Sequence, residues 1–164
     1  MKLGEVVKIE RGGSPRPINT YLTDDIEGLN WIKIGDVAKG SKYICETKQR
    51  IKREGLTKTR LVEPGDFLLT NSMSYGRPYI SKINGCIHDG WLRLTPKEGV
   101  DIDPDYLFYL LSSPKIQRGF TQAVAGAVVN NLNSDIVRNT QISLHSLEEQ
   151  KRIAAILDQA EELK

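Results

Sequence analysis

The first hundred residues of this chain alternate between short apolar runs and polar turns. Leu3, Val6, Val7 and Ile9 predict a short opening helix or strand that ends at Gly12-Gly13. Further apolar runs bounded by Gly, Pro, Asn or Asp predict strands at 31–34, 67–70, 78–83 and 86–94. This part of the chain is therefore predicted to be mostly β.

The hydrophobic period changes after residue 100. Asp103-Pro104 has the residues of a helix start, an N-cap followed by a proline in the first turn. Ser113-Pro114 predicts a second helix to about Gln122, and 134–138 predicts one further helical turn. We therefore predict an α/β fold of the α+β kind, a mostly β domain with a few short helices and a C-terminal helical arm.

The C-terminal arm is predicted from residue 146 onwards. Ser146 has the residue type of an N-cap, and Glu149 three positions later completes a capping box. Five apolar side chains fall on one face at helical spacing: Ile153, Ile156, Leu157, Ala160 and Leu163. An isolated helix of this length is marginal in water. We therefore expect this face to bind a partner, and the helix to be longer in a parent protein.

Composition indicates one globular domain of 164 residues, with 39% hydrophobic and 27% charged residues. The opening residues have no apolar signal-peptide core, and no stretch approaches the length of a membrane span. Cys45 and Cys86 form neither a metal pattern nor a disulfide framework. We interpret them as free thiols and expect a cytoplasmic protein without membrane contact.

The net charge of +2 conceals a basic segment at 39–60. This segment contains eight basic and two acidic residues, so it carries +6 while the rest of the chain carries −4. A localised basic stretch of this kind is an electrostatic footprint for a polyanion.

Three polar loops have side chains suited to DNA. They are Gly12 to Arg16 together with Tyr21, Asn71 to Arg77, and Asn130 to Asn133. Serine, asparagine and arginine bond base edges, and tyrosine bonds phosphate. The candidate DNA-binding residues from these loops and the basic segment are Arg11, Ser14, Arg16, Tyr21, Lys39, Lys42, Lys48, Arg50, Lys52, Lys58, Arg60, Ser72, Ser74, Tyr75 and Arg77.

The sequence motifs that could indicate a catalytic function are each incomplete. Asp103-Pro104-Asp105-Tyr106 is superficially similar to a methyltransferase loop, but it is already explained as a helix start, and no Gly-rich cofactor loop is present. Asp36 with Glu46-Thr47-Lys48 has the order of a metal-dependent nuclease core. His88-Asp89 lacks a matching nucleophile motif, so we interpret it as a hydrogen bond at a strand end. We predict no catalytic and no metal-ligating residue, and the nuclease remains an open alternative.

Several short motifs occur in order along nearly the whole chain. They are Leu3-Gly4-Glu5-Val6 with Gly12-Gly13-x-Pro15, Trp31-Ile32-x-x-Gly35-Asp36, Val62-x-Pro64-Gly65-Asp66-x-Leu68-Leu69, Tyr106-Leu107-x-Tyr109-Leu110-Leu111, and Gly126, Leu132 and Ile136 before Ile142-x-Leu144 and Glu149-Gln150-x-x-Ile153. In this combination the chain resembles the specificity subunit of type I restriction–modification systems. Members of that family usually carry two recognition domains and two long helices, so the chain is similar to one half of such a subunit.

The resemblance implies a non-catalytic role in choosing the DNA sequence. It implies that residues 1–145 form a target recognition domain that reads one half of a split sequence in double-stranded DNA. It also implies that residues 146–164 begin a coiled-coil or spacer helix that docks methyltransferase subunits. A restriction subunit would join in the full complex, and self-pairing through the helix is a further expectation. No cofactor is expected on this chain, since S-adenosylmethionine would bind the partner methyltransferase. We take Trp31 as a core aromatic and Asp36 as a turn-fixing carboxylate, and a regulator that never touches DNA remains a second alternative.

Overall fold

The computed structural model describes residues 1–38, 40–128 and 130–164. The strands in this part of the chain are β1 (Val7–Arg11), β2 (Leu22–Thr23), β3 (Leu29–Ile32), β4 (Tyr43–Ile44), β5 (Gln49–Ile51), β6 (Arg60–Val62), β7 (Phe67–Thr70), β8 (Pro78–Ser81), β9 (Gly85–Ile87) and β10 (Trp91–Pro96). They form two five-stranded sheets with the orders β1-β10-β7-β8-β4 and β2-β5-β3-β9-β6. The pairs β3–β9 and β4–β8 are parallel, and the others are antiparallel.

Strand β7 is buried along its whole length because both faces of the first sheet are covered. Phe67 and Leu69 pack with the helices in the main hydrophobic core. Leu68, which points to the opposite face, packs against Ile32 and Ile87 of the second sheet. A strand covered on both faces is expected to be an uninterrupted apolar run rather than an alternating one. The predicted strand at 67–70 is thereby confirmed and explained.

The chain crosses between the two sheets at residues 88–90. The predicted single strand over 86–94 is wrong, because β9 belongs to the second sheet and β10 to the first. Gly90 allows this tight crossing, since a Cβ there would lie 2.3 Å from His88 Cε1. Trp91 then joins the sheets through a 3.1 Å hydrogen bond from its indole Nε1 to the carbonyl oxygen of Ile32. The strand predicted at 78–83 also ends earlier, at Ser81.

Helices cover the other face of the first sheet. These are α1 (Pro104–Ser112), α2 (Pro114–Ala125) and α3 (Ser134–Arg138), whereas α4 (Leu147–Glu162) packs on α1. The short 3-10 turns are Leu3–Glu5, Ile18–Thr20, Ile34–Asp36 and Arg53–Lys58. Asp103 caps α1 by accepting the Tyr106 N–H at 3.0 Å, and Ser113 caps α2. The predicted helix starts are confirmed, because they depend on neighbouring residues alone. The α+β class is likewise confirmed.

The beginning of the chain is paired with the segment before α4. The Leu3 N–H donates to Thr140 at 2.8 Å, and the Ile142 N–H donates to Met1 at 2.8 Å. These bonds hold residues 140–142 beside the opening turn and place the start of α4 next to the domain. None of the helices in the described ranges has the length and apolar character needed to cross a membrane.

Candidate nucleic-acid interface

Three loops that are distant in sequence, at 12–21, 71–77 and 130–133, meet at Asn71 and Asp89. The side-chain amide of Asn71 donates to the Asp89 carbonyl oxygen at 3.0 Å. We call these two residues, with the hydrogen bonds that they make, the loop junction. It brings together all three polar loops that the sequence singled out.

Asp89 binds the first of these loops. The Ser14 hydroxyl donates to its carboxylate at 2.9 Å, and Arg16 Nη2 lies 3.3 Å from the second carboxylate oxygen. Arg11 Nε donates to the backbone carbonyl of Asp89 at 3.0 Å. Burial opposes ionisation, but the Ser14 hydrogen bond and nearby positive charge outweigh it and hold the pKa of Asp89 below its usual value. The Arg16 side chain is still 78% exposed, so its guanidinium faces solvent at the edge of the junction.

Asn71 belongs to the second loop, binds the third, and is itself buried. Its backbone N–H donates to Gly90 at 2.9 Å, and its carbonyl accepts the Leu132 N–H at 2.7 Å. The sequence placed Asn71 in a polar loop but did not identify it or Asp89 as a connection. The sequence did indicate their position, because Asn71 directly follows the buried strand β7 and Asp89 lies between β9 and β10.

The loop at 71–77 is closed by Thr70. The Thr70 hydroxyl donates to the Ser74 carbonyl at 2.8 Å and accepts the Arg77 N–H at 2.9 Å. Gly76, at φ +81°, donates its N–H to the Thr70 carbonyl at 2.8 Å. These bonds give the loop a defined shape. Its exposed or half-buried members are Ser72, Met73, Ser74, Tyr75 and Arg77, and the half-buried ring of Tyr75 packs against the main core.

A cavity of about 780 Å³ lies between the first loop and the second sheet. Its walls include Arg16, Ile18, Trp31 and Lys33. Trp31 is buried, as predicted for a core aromatic. Lys33 adds a cation that the sequence analysis missed, because it follows an apolar strand outside the basic segment. The cavity therefore has two cationic side chains close to the loop junction.

The imidazole of His88 lies beside the junction, where its surroundings disfavour the charged form. Its Nδ1 is 2.7 Å from the Gly90 N–H, and its Nε2 is 3.3 Å from the Ile34 N–H. Imidazolium has no acceptor nitrogen, so two facing N–H groups disfavour protonation. Burial also lowers the pKa of His88 and outweighs the opposing effect of Asp89. The interpretation of His88 as a hydrogen-bonding group at a strand end is confirmed.

Part of the basic segment forms a row along β5. Lys48, Arg50 and Lys52 occupy alternate positions on and beside this strand, and alternate positions share one face. Lys48 and Lys52 are exposed and Arg50 is half-buried. Lys58 Nζ lies 2.8 Å from the Tyr21 hydroxyl, which brings two predicted residues together. Lys39 lies outside the described residues.

Lys42 and Arg60 form ion pairs inside the fold, and their assignment as DNA-binding cations stays a prediction. Lys42 Nζ lies 2.6 Å from Asp105 and 2.8 Å from Asp158, and its side chain is only 14% exposed. Arg60 Nη1 lies 2.7 Å from Glu10. The carboxylates at these distances compete with phosphate for both cations. A net charge counted along sequence does not reveal such long-range pairing.

Helix α4 lies against the domain along one face rather than projecting freely. The Gln150 side chain accepts the Asp103 N–H at 2.8 Å and donates to the carbonyls of Asp101 and His145. Ala154, one turn later, is also buried. The arm is therefore fixed to the domain at its N-terminal half.

The start of α4 confirms half of the predicted capping box. The Ser146 hydroxyl accepts the Glu149 N–H at 3.3 Å. The Glu149 carboxylate, however, pairs with Arg152 at 2.7 Å. An ion pair within the first turn thus takes the place of the reciprocal bond.

The predicted docking face of α4 is largely uncovered. Ile156 is 55% exposed, Leu157 is 37% exposed, and Ala160 is exposed. Ile153 is half-buried, and Leu163 is exposed just beyond the last helical residue. An apolar stripe therefore runs beside the face that packs on the domain. Its docking role stays a prediction.

The nuclease alternative gains no support from the described residues. Both carboxylate oxygens of Asp36 accept backbone N–H groups, from Lys33 at 2.9 Å and Lys48 at 3.3 Å. Asp36 thus fixes a turn, as predicted. Within 1–38, 40–128 and 130–164, no three His, Cys, Asp or Glu side chains are grouped to hold a metal ion.

Comparison with known proteins gives consistent results. The family model described as type I restriction modification DNA specificity domain matches residues 1–164. The specificity subunit of the type I restriction enzyme MjaIX from Methanocaldococcus jannaschii is 25% identical over an alignment of 166 positions, which covers 99% of this chain and 37% of that protein. The chain thus spans little more than a third of this relative.

Solved structures share the fold. The HsdS subunit from Thermoanaerobacter tengcongensis matches with a TM-score of 0.73 and 25% identity, over 99% of this chain and 37% of that one. A chain from a structural study of assembly and conformational transition in the type I R-M system matches with a TM-score of 0.76 and 24% identity, over 99% and 38%. Since the family model covers every residue, this chain belongs to the family of type I restriction modification DNA specificity domains.

Proposed function

We propose that this chain reads one half of a split sequence in double-stranded DNA, as a non-catalytic specificity module of a type I restriction–modification complex. The observation that carries the proposal is the loop junction. It joins three polar loops to one another and leaves the guanidinium of Arg16 exposed beside Asp89. Base readout needs several side chains held in register, and bonds between the loops supply that register.

Two kinds of contact are assigned to different residues. Arg16, Ser72, Ser74 and Arg77 are proposed to contact base edges, because hydroxyl and guanidinium groups bond the major-groove pattern. The row along β5, at Lys48, Arg50 and Lys52, is proposed to contact phosphates. Each phosphate contact should steepen the dependence of log affinity on log salt by about 0.9.

The exposed stripe of α4 is proposed to dock methyltransferase subunits. Ile156 and Leu157 present apolar surface there without covering groups among the described residues. The methyltransferase, and not this chain, would bind S-adenosylmethionine, and a restriction subunit would complete the assembly. A second copy of this chain is the other proposed partner of the stripe.

The test is co-expression of the chain with a cognate methyltransferase subunit, followed by sequencing of N6-methyladenine in the host DNA. We expect a methylated motif with a fixed half of a few base pairs. A palindromic split motif would indicate two copies of the chain, whereas a motif with one fixed half would indicate a single copy. A stable complex that leaves the DNA unmethylated contradicts the reading role.

Two variants separate base contacts from phosphate contacts. Arg77→Ala should change or relax the methylated motif, because it removes a proposed base contact. Lys48→Met should keep the motif and lower the salt slope by about one unit. If both variants keep the wild-type motif and salt slope, these residues do not form the interface.

A further inference from the structure

Met73 combines two uncommon properties at the tip of the loop at 71–77. Its side chain is 86% exposed. Its φ angle is +57°, in the left-handed region that non-glycine residues rarely adopt. A single exposed apolar side chain is ordinary on a protein surface. An exposed methionine held in this backbone conformation is not, and such outliers concentrate at functional positions.

The surrounding bonds hold Met73 in place. Asn71, two residues earlier, is buried in the loop junction, and the Ser74 carbonyl, one residue later, accepts the Thr70 hydroxyl at 2.8 Å. A cavity of about 460 Å³ lined partly by Phe108 and Tyr79 lies beside the loop, and Met73 stands at its rim. Apolar surface is therefore available nearby, yet the side chain remains in solvent. The loop presents an apolar group outwards in a fixed position.

The residues next to Met73 in sequence indicate which chemical groups its partner carries. Ser72 and Ser74, the neighbours of Met73 in sequence, each carry a hydroxyl group. In the major groove of DNA, the apolar group is the C5-methyl of thymine, and it lies next to the O4 acceptor. An apolar side chain flanked by hydroxyl donors is complementary to that pair of groups. Cytosine offers an amino donor and no methyl at the same place.

We infer that Met73 is a specificity-determining residue that contacts the C5-methyl group of a thymine in the half-target, while a serine hydroxyl from Ser72 or Ser74 donates to O4. The inference rests on the proposed function, since it requires this loop to enter the major groove. It adds the identity of one base pair, an A·T pair, and the group by which that pair is recognised.

The first experiment replaces thymine by uracil, which removes the methyl and keeps O4. Once the methylated motif is known, duplexes carrying uracil at each thymine of the half-target are titrated with the assembled complex. Burying one such carbon is worth about 0.8 kcal/mol, which at 1.4 kcal/mol per tenfold corresponds to about fourfold weaker binding at one position. Uracil at the other thymines should leave the affinity unchanged.

Matched variants assign the effect to Met73. Met73→Leu keeps an apolar side chain, whereas Met73→Gln has similar length and a polar end. Both replacements, like methionine, must adopt the left-handed backbone conformation at this position. Met73→Leu should keep the preference for thymine over uracil, and Met73→Gln should abolish it. Ile26→Gln alters another exposed apolar residue, outside the three loops, and should leave the preference intact.

The outcomes distinguish the inference from the function on which it rests. A complex that neither binds nor methylates a defined motif overturns the proposed function. A complex that reads a motif but binds thymine and uracil equally, or loses the preference equally in Met73→Leu and Met73→Gln, overturns the role of Met73 alone.

Discussion

The ammonium group of Lys42 lies 2.8 Å from the carboxylate of Asp158, and this pair joins the domain to helix α4. Asp105 at the start of α1 binds the same ammonium, and the Tyr109 hydroxyl donates to Asp158. Burial raises the pKa of Tyr109 to about 12, with Asp158 acting in the same direction. One half-buried cation thus links three segments and contributes to the direction of helix α4 relative to the three polar loops.

Lys42→Met should loosen α4 without weakening phosphate contacts. The variant leaves two partly exposed carboxylates unpaired, and we expect a loss of about 1 kcal/mol in the free energy of unfolding. Hydrogen exchange in α4 should accelerate, while the salt slope of DNA binding stays unchanged. Lys48→Met is the matched control, with a lower salt slope and unchanged exchange. A reduced slope in Lys42→Met would instead support a DNA contact by that residue.

The pair between Lys42 and Asp158 should make stability depend on pH in acid. Burial opposes ionisation of Asp158, but Lys42 and Tyr109 outweigh it and hold its pKa below the usual 3.8. The stabilisation is therefore present above about pH 3.8 and is lost as the pH falls through the lower folded value.

Melting temperatures of the wild type and Asp158→Asn test this dependence on pH. The difference should be largest near neutrality and narrow below about pH 4. Glu162→Gln, which removes an exposed carboxylate from the same helix, should give a difference that hardly varies with pH. A constant difference for Asp158→Asn would contradict the ion pair.

Asp89→Ala should lower the free energy of unfolding and impair recognition of the DNA sequence. The substitution removes the acceptor of Ser14 and Arg16, and we expect a loss of about 1–3 kcal/mol, measured by urea denaturation. The methylated motif should also become degenerate, because the first loop loses its position. Asp24→Ala, at an exposed site, should change neither quantity. An intact motif in Asp89→Ala would separate the junction from recognition.

Gly12→Ala should be strongly destabilising because of backbone crowding. A Cβ at this position would lie 2.2 Å from the His88 carbonyl oxygen and 2.7 Å from that of Ile87. Overpacking of this kind typically costs about 1–3 kcal/mol. Gly35→Ala is the control, since nothing lies within 4 Å of its Cβ position, and it should be nearly neutral. Equal thermal stability of the two variants would contradict the close approach of the first loop to the sheet crossing.

The same substitution on two faces of α4 should have opposite effects. Ala154 is buried against the domain, so Ala154→Lys should lower the melting temperature. Ala160 is exposed, so Ala160→Lys should fold normally and lose binding to methyltransferase subunits in a pull-down assay. Ile156→Lys and Leu157→Lys should behave like Ala160→Lys. Undiminished capture by all three exposed-face variants would contradict the docking role.

Local features of this protein follow from its sequence. The caps at Asp103, Ser113 and Ser146 form as predicted, because a side chain that accepts an N–H three residues later needs no distant partner. The turn fixed by Asp36 was predictable for the same reason, because the Lys33 N–H that it accepts lies three residues away. The buried strand at 67–70 was predictable from its uninterrupted apolar residues.

Long-range features required the fold. Sheet pairing splits the apolar stretch at 86–94 into two strands, because each half finds hydrogen-bond partners in a different sheet. Lys42 pairs with Asp158, which lies 116 positions later in the chain, so a cation predicted to contact DNA also has a partner in helix α4. Residue types along the chain identify the polar loops, but the bonds through Asn71 and Asp89 that bring them together arise from strand pairing. Local hydrogen bonds can therefore be predicted from the order of residues, whereas contacts between distant segments depend on which strands pair.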